Sequence, residues 1–97
     1  MKARRLSAGV AAVLLMFGGA HGAEAPPGAS SCTGCHSAAS GVETIPPLAG
    51  LPRAEIADKM IAFRSGARPA TIMDRIAKGF SDEEIHAIAA WYAAQKP

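Results

Sequence analysis

One stripe of apolar residues at i, i+4 and i+7 predicts a central helix over residues 53–65: Ile56, Met60 and Phe63. Pro52 suits the first helical position and Gly66 suits the C-terminal stop, so the helix-bounding residues and the apolar periodicity agree on where the helix begins and ends. Met60 lies in the middle of the stripe, where a methionine is typical of core filling.

The chain beyond the central helix predicts two more helices. Ile72 and Ile76 are spaced by four and indicate a short helix that ends at Gly79. The last helix begins with Ser81 as N-cap, and Glu84 three positions later completes a capping box. Its predicted buried stripe has four members: Ile85, Ile88, Ala89 and Tyr92. No alternating pattern typical of β-strands appears, so the predicted fold class is all-α.

Residues 1–23 have the three-part pattern of a secretory signal peptide: the basic residues Lys2, Arg4 and Arg5, an apolar run to Phe17, then small residues. The apolar run is shorter than the ~20 residues that span a bilayer, which disfavours an uncleaved anchor. We therefore expect export to the periplasm, no stable membrane anchor after cleavage, and one domain over residues 24–97. A domain that small usually needs a disulfide, a metal or a cofactor to stay folded.

The basic charge belongs to the predicted leader. The chain has 10 Lys and Arg against 8 Asp and Glu. Without Lys2, Arg4 and Arg5 the balance is seven against eight, or −1, which gives no reason to expect nucleic acid as a partner. The remaining basic residues cluster mid-chain: Arg53, Lys59, Arg64, Arg68, Arg75 and Lys78. They are either solvated helix faces or a contact surface for an acidic partner.

The two cysteines stand in the motif C-x-x-C-H, formed by Cys32, Cys35 and His36 on a short helix predicted over residues 28–37. This is the attachment motif of a c-type haem. Positions i and i+3 project from one side of a helical turn, so both thiols reach the two vinyl groups of one haem. His36 then supplies an axial bond to iron. The prediction is one covalent haem c.

Three other interpretations of the cysteines are weaker. A disulfide between Cys32 and Cys35 is plausible in an oxidising compartment. A thioredoxin-like redox pair needs a βαβ setting that the pattern does not offer. A zinc site needs further ligands, and His21 falls in the predicted leader while His86 lies far along the chain on the exposed side of its helix.

The rest of the chain offers candidates for the other contacts to haem. Methionine is the usual sixth ligand in soluble electron carriers. We favour Met73, which follows the loop over residues 66–71, and keep Met60 as the alternative. The proline-rich loop after His36 is expected to pass the imidazole, where a backbone carbonyl can accept the Nδ1 proton and fix the tautomer. Leu48 in that loop is a candidate for packing on the porphyrin.

A short helix with C-x-x-C-H, a proline loop, a central helix, a methionine loop and a C-terminal helix together resemble a class I cytochrome c. Cys32, Cys35 and His36 match the family's attachment residues, and Met73 matches its axial methionine. Residues 46–50 match its P-x-L-x-G loop, which implies that the carbonyl of Pro46 binds the haem histidine. The resemblance implies short helices wrapped around one covalently bound haem.

The tract over residues 60–85 is similar to the cytochrome subunit of flavocytochrome c sulfide dehydrogenases: it contains S-G-x-R-P, T-x-M, I-A-K-G and S-D-E-E-I. The resemblance implies a small monohaem subunit that accepts electrons from a flavoprotein. A free soluble carrier of the c4 or c553 type and a haem sensor or peroxidase-like module are the alternatives. No nucleophile–base pair, paired carboxylates or phosphate loop appears, so no catalytic residue is assigned to the chain itself.

Overall fold

The computed structural model describes residues 24–97, together with Lys2, Ala3 and Gly9. The predicted signal peptide lies almost wholly outside the described residues. The backbone of residues 24–97 forms four α-helices, one short 3₁₀ helix and no β-strand. The helices are α1 (Ala29–Cys32), α2 (Arg53–Ser65), α3 (Met73–Ala77) and α4 (Asp82–Ala93), and the 3₁₀ helix is Ala38–Ser40. No helix in this described part is both long and apolar enough to cross a membrane.

The central helix α2 has the predicted bounds. Gly66 ends it in the left-handed conformation with φ +81°, and its N–H bonds to the carbonyl of Phe63 at 3.2 Å. Pro52 occupies the N-cap, one position before the predicted one. Ile56 is buried and Met60 is half-buried, so the predicted stripe faces the core.

Helix α4 begins with the predicted capping box. The Glu84 N–H donates to Ser81 Oγ at 3.2 Å, and the Ser81 N–H donates to Glu84 Oε1 at 3.0 Å. The bond from the Ser81 N–H lowers the pKa of the Glu84 carboxyl. Every member of the predicted stripe of this helix is buried, and His86 is exposed as expected.

The first helix is shorter than the predicted span of residues 28–37. It ends at Cys32, and the motif continues as a turn. Glycine is a poor helix former, so Gly34 favours this early end. The Thr33 hydroxyl also bonds back to the carbonyl of Ser30 at 2.8 Å, in competition with helical hydrogen bonding. The predicted loop over residues 38–52 also differs from expectation, because it begins with the 3₁₀ helix Ala38–Ser40.

The hydrophobic core is thin. Helix α2 packs against both α3 and α4. Within residues 24–97 the buried apolar residues are four alanines, three isoleucines and one tyrosine: Ala29, Ala57, Ala77, Ala89, Ile56, Ile85, Ile88 and Tyr92. Ile72 and Ile76 remain 54% and 42% exposed. A core built half from alanine buries little apolar area, which is the situation in which a bound cofactor supplies the missing apolar surface.

Candidate haem-binding site

The attachment motif forms a compact turn directly after α1. The carbonyl of Cys32 accepts from the N–H of Cys35 at 3.2 Å and from the N–H of His36 at 2.8 Å. These two bonds keep helical spacing through the motif although the regular helix has ended. The two thiols and the imidazole are therefore held on one turn of backbone.

Both cysteines are free thiols, Cys32 half-buried and Cys35 exposed. Burial raises the pKa of the Cys32 thiol. Reactive cysteines of redox pairs have depressed pKa values, because the thiolate is the nucleophile. Cys32 has the opposite shift, which disfavours the thioredoxin-like interpretation. No group of three or more His, Cys, Asp or Glu side chains capable of holding a metal ion occurs among the described residues.

The ring of His36 is fixed by the proline loop. Its Nδ1 lies 2.8 Å from the carbonyl oxygen of Pro46. A carbonyl only accepts, so Nδ1 carries the proton and Nε2 carries the free lone pair. The loop also donates to the His36 carbonyl through the Leu48 N–H at 3.3 Å. The hydrogen bond expected from Pro46 is thus present, and it leaves His36 with the nitrogen that a metal ion requires.

The two candidate methionines have different surroundings. Met60 is half-buried and packs against the core cluster of α2 and α4. Met73 is half-buried at the first position of α3 and is not part of that cluster. No hydrogen bond or core contact within residues 24–97 joins Met73 to His36. The structure thus brings Cys32, Cys35, His36 and Pro46 together, and iron ligation by Met73 stays a prediction.

Leu48 has an anchoring position in the loop. Its side chain is half-buried and packs against the hydrophobic core, and its carbonyl accepts from the Leu51 N–H at 3.1 Å. The loop that orients His36 is therefore fastened to the core two residues after Pro46.

The mid-chain basic residues do not form one uniform group. Arg64 donates to the carbonyl of Phe80 at 3.1 Å and pairs with Asp82, so it joins α2 to the start of α4. The guanidinium of Arg68 lies over the ring of Phe63, 5.1 Å from its centre. Arg75 and Lys78 are exposed on and just after α3. Arg64 is occupied with a structural ion pair, and Lys59 pairs with Glu55 at 2.6 Å. The exposed positive charge is that of the other four basic residues: Arg53, Arg68, Arg75 and Lys78.

Sequence reasoning placed Tyr92 in the core but missed what its hydroxyl does. The phenol is buried and donates to the carbonyl of Ala29, the first residue of α1. Burial raises the pKa of Tyr92 to about 12. A tyrosine at a buried stripe position was the available signal, because a buried hydroxyl needs a hydrogen-bond partner.

The donor set fits a covalent haem c. Two free thiols at i and i+3 suit two thioether bonds, and a histidine with Nδ1 protonated offers Nε2 to iron. The thin core and the exposed isoleucines near Met73 fit a protein that packs around a large apolar group.

Three curated relatives match the chain. The cytochrome subunit of sulfide dehydrogenase from Chlorobaculum tepidum is 40% identical over 63 residues, covering 64% of this chain and 57% of that protein. With the helical fold and the C-x-x-C-H turn, this decides the assignment. The chain is a homologue of a c-type cytochrome and has the class I cytochrome c fold. The resemblance stated from the sequence and the predicted fold class are both confirmed.

The other two relatives bear a different name. Thiosulfate dehydrogenase electron acceptors from Thiomonas intermedia and Stutzerimonas stutzeri are 40% and 42% identical to this chain, over 78 and 99 aligned positions. These alignments cover 77% and 86% of this chain but 36% and 44% of those proteins. The chain thus spans between about a third and somewhat over half of the length of its relatives. No protein-family model matches it.

Proposed function

We propose that this cytochrome carries one covalent haem c and transfers single electrons in the periplasm, accepting them from the flavoprotein subunit of a sulfide dehydrogenase. The observation that carries the proposal is the His36–Pro46 hydrogen bond within a C-x-x-C-H turn, since it prepares His36 Nε2 as a metal ligand. The relative from Chlorobaculum tepidum, a cytochrome subunit of sulfide dehydrogenase, supports the choice of donor.

Each residue of the site has a defined part in this proposal. Cys32 and Cys35 would form the two thioether bonds, and His36 and Met73 would supply the ligands to iron. Pro46 holds the proton on Nδ1 of His36, and Leu48 would contact the porphyrin. When bound, the haem supplies a one-electron Fe(III)/Fe(II) couple. The protein orients the ligands and excludes water.

Haem attachment is tested on protein purified from a host that matures c-type cytochromes. Wild type is expected to keep its haem absorbance through denaturing electrophoresis and to have the mass of the chain plus one haem. Cys35→Ala removes one thioether bond and should reduce retention. Ser31→Ala, next to the motif, is the control and should retain haem fully. Wild type at its apoprotein mass, with thiols free or joined in a disulfide, would refute the proposal.

The donor is tested by reconstitution. Mixed with a flavoprotein sulfide dehydrogenase subunit, the oxidised cytochrome should be reduced when sulfide is added and should copurify with that subunit. The names of the two thiosulfate dehydrogenase electron acceptors favour a second candidate, a free carrier that accepts electrons from a thiosulfate-oxidising enzyme. Reduction by that enzyme with thiosulfate, without a stable complex with the flavoprotein, would select the free carrier. Spectra showing an open sixth iron site would select the sensor or peroxidase-like alternative.

Export is part of the same proposal, and it rests on the basic, apolar and small residues of the first 23 positions. Protein recovered from the periplasm should begin near Glu24. Haem-free protein confined to the cytoplasm and starting at Met1 would contradict it.

A further inference from the structure

Tyr92 is bonded to the attachment helix through its side chain. Its hydroxyl donates to the carbonyl of Ala29, 63 residues earlier in the chain, and both residues are buried. The same phenol interacts with the side chain of Cys32 and the backbone N–H of Thr33. The phenol of α4 therefore lies against the segment that carries the first attachment cysteine.

The same residue is bonded through its main chain to the loop that orients His36. The carbonyl of Tyr92 accepts from the N–H of Gly50 at 3.0 Å. Gly50 closes the loop in which Pro46 accepts from His36 Nδ1 at 2.8 Å and the Leu48 N–H donates to the His36 carbonyl at 3.3 Å. One residue of α4 is thus fastened to the backbone on both sides of His36.

We propose that Tyr92 is a positioning residue for His36, because its phenol fixes the helix before the imidazole while its carbonyl fixes the loop that accepts the Nδ1 proton. The inference rests on the proposed haem ligation by His36. The orientation of the imidazole is set by the relative position of α1 and the loop, and Tyr92 hydrogen-bonds to both segments.

The hydroxyl can be removed without removing the ring. Tyr92→Phe keeps the aromatic packing and the carbonyl bond to Gly50, and removes only the hydroxyl, with its bond to Ala29 and its interactions with Cys32 and Thr33. The matched control is Ile88→Val on the same helix, a buried residue that bonds to neither segment. Losing one hydrogen bond and losing one buried methylene have similar costs to stability, so the two variants separate positioning from packing.

The experiment uses the haem-loaded full chain in three forms: wild type, Tyr92→Phe and Ile88→Val. The readouts are amide hydrogen exchange at His36 and Leu48, the spread of the hyperfine-shifted haem methyl resonances, which follows the orientation of the histidine ring, and the reduction potential. Tyr92→Phe should speed exchange at both amides several-fold more than Ile88→Val does. It alone should change the methyl spread and the potential.

Equal behaviour of the two variants in every readout would overturn the proposal and leave Tyr92 as a core residue only. A chain without covalent haem would instead defeat the proposed function. In that case the hydrogen-exchange comparison, which needs no haem, still decides whether the Tyr92 hydroxyl orders His36 and its loop.

Discussion

The imidazole Nδ1 of His36 is 2.8 Å from the carbonyl oxygen of Pro46, ten residues further along the chain. This hydrogen bond fixes which ring nitrogen is free. Leu48, two residues after Pro46, packs on the core and so holds the proline loop where Pro46 can accept from His36. The cysteines would hold a haem without this bond, but the ring of His36 would not have a set orientation.

Replacement of Pro46 by glycine tests the loop. Pro46→Gly should lower the free energy of unfolding by about 1 kcal/mol, because glycine has more conformational freedom in the unfolded chain. It should also speed exchange of the His36 Nδ1 proton, measured by NMR. Pro47→Gly is the control, with a similar loss of rigidity and unchanged exchange at Nδ1. Equal exchange in the two variants would mean that the Pro46 carbonyl does not control the tautomer.

The two methionines should respond differently to alanine. Met73→Ala should abolish the weak far-red absorbance band that sulfur ligation gives to oxidised haem, and should lower the reduction potential. Met60→Ala should retain the band and lower the free energy of unfolding by about 2 kcal/mol, because Met60 packs against the core. The reverse pattern would make Met60 the ligand.

Position 28 requires glycine for two reasons, its left-handed backbone conformation and the closeness of the Phe80 ring. Its φ is +85°, and a Cβ there would lie 2.6 Å from Cε1 of Phe80. Gly41→Ala is the matched control, since its φ of +67° carries the same penalty in open space. Gly41→Ala should cost about 1–2 kcal/mol from the left-handed conformation alone. Gly28→Ala should lower the free energy of unfolding, measured with denaturant, by more than Gly41→Ala does. Adding Phe80→Leu to Gly28→Ala should remove the clash, so that only the cost of the left-handed conformation remains. Equal costs for the two single variants would show that Phe80 gives way freely.

The exposed cations near Met73 should steer an acidic redox partner. Arg75→Glu and Lys78→Glu should slow electron transfer, and wild-type transfer should slow as salt rises, because screening acts over ~10 Å at 0.1 M. Arg64→Gln is the internal control: it should lower stability, through loss of the bonds to Asp82 and Phe80, without changing association. Stopped-flow rates of electron transfer, taken for wild type and each variant at several salt concentrations, measure the effect of the charge reversals and the effect of salt. Salt-independent transfer would indicate an apolar interface instead.

Alkaline pH should weaken the fold through Tyr92. Burial raises the pKa of this phenol from 10.0 to about 12, so the folded protein favours the neutral form. Its contribution to stability is complete below pH 10 and is lost as the pH rises towards 12. The difference in unfolding free energy between wild type and Tyr92→Phe should therefore shrink over this interval. A constant difference would show that the phenol titrates alike in both states.

The sequence alone determined the two long helices and the attachment chemistry, because their signals are local. A proline and a glycine bound α2, a capping box starts α4, and C-x-x-C-H places two thiols and an imidazole within five residues. Hydrophobic periodicity was enough to identify the buried stripe of α4, since each member lies within a turn of the next.

Tertiary structure decided what depends on residues far apart in the chain. It placed the hydroxyl of Tyr92 on Ala29, brought Arg64 to Asp82, and seated Phe80 against Gly28. A local pattern shows that such a side chain is apolar, buried or charged. Its partner is chosen by packing, which sets distances between residues that no sequence spacing relates. The two hydrogen bonds of Tyr92, to Ala29 and to Gly50, therefore emerged only in the folded chain.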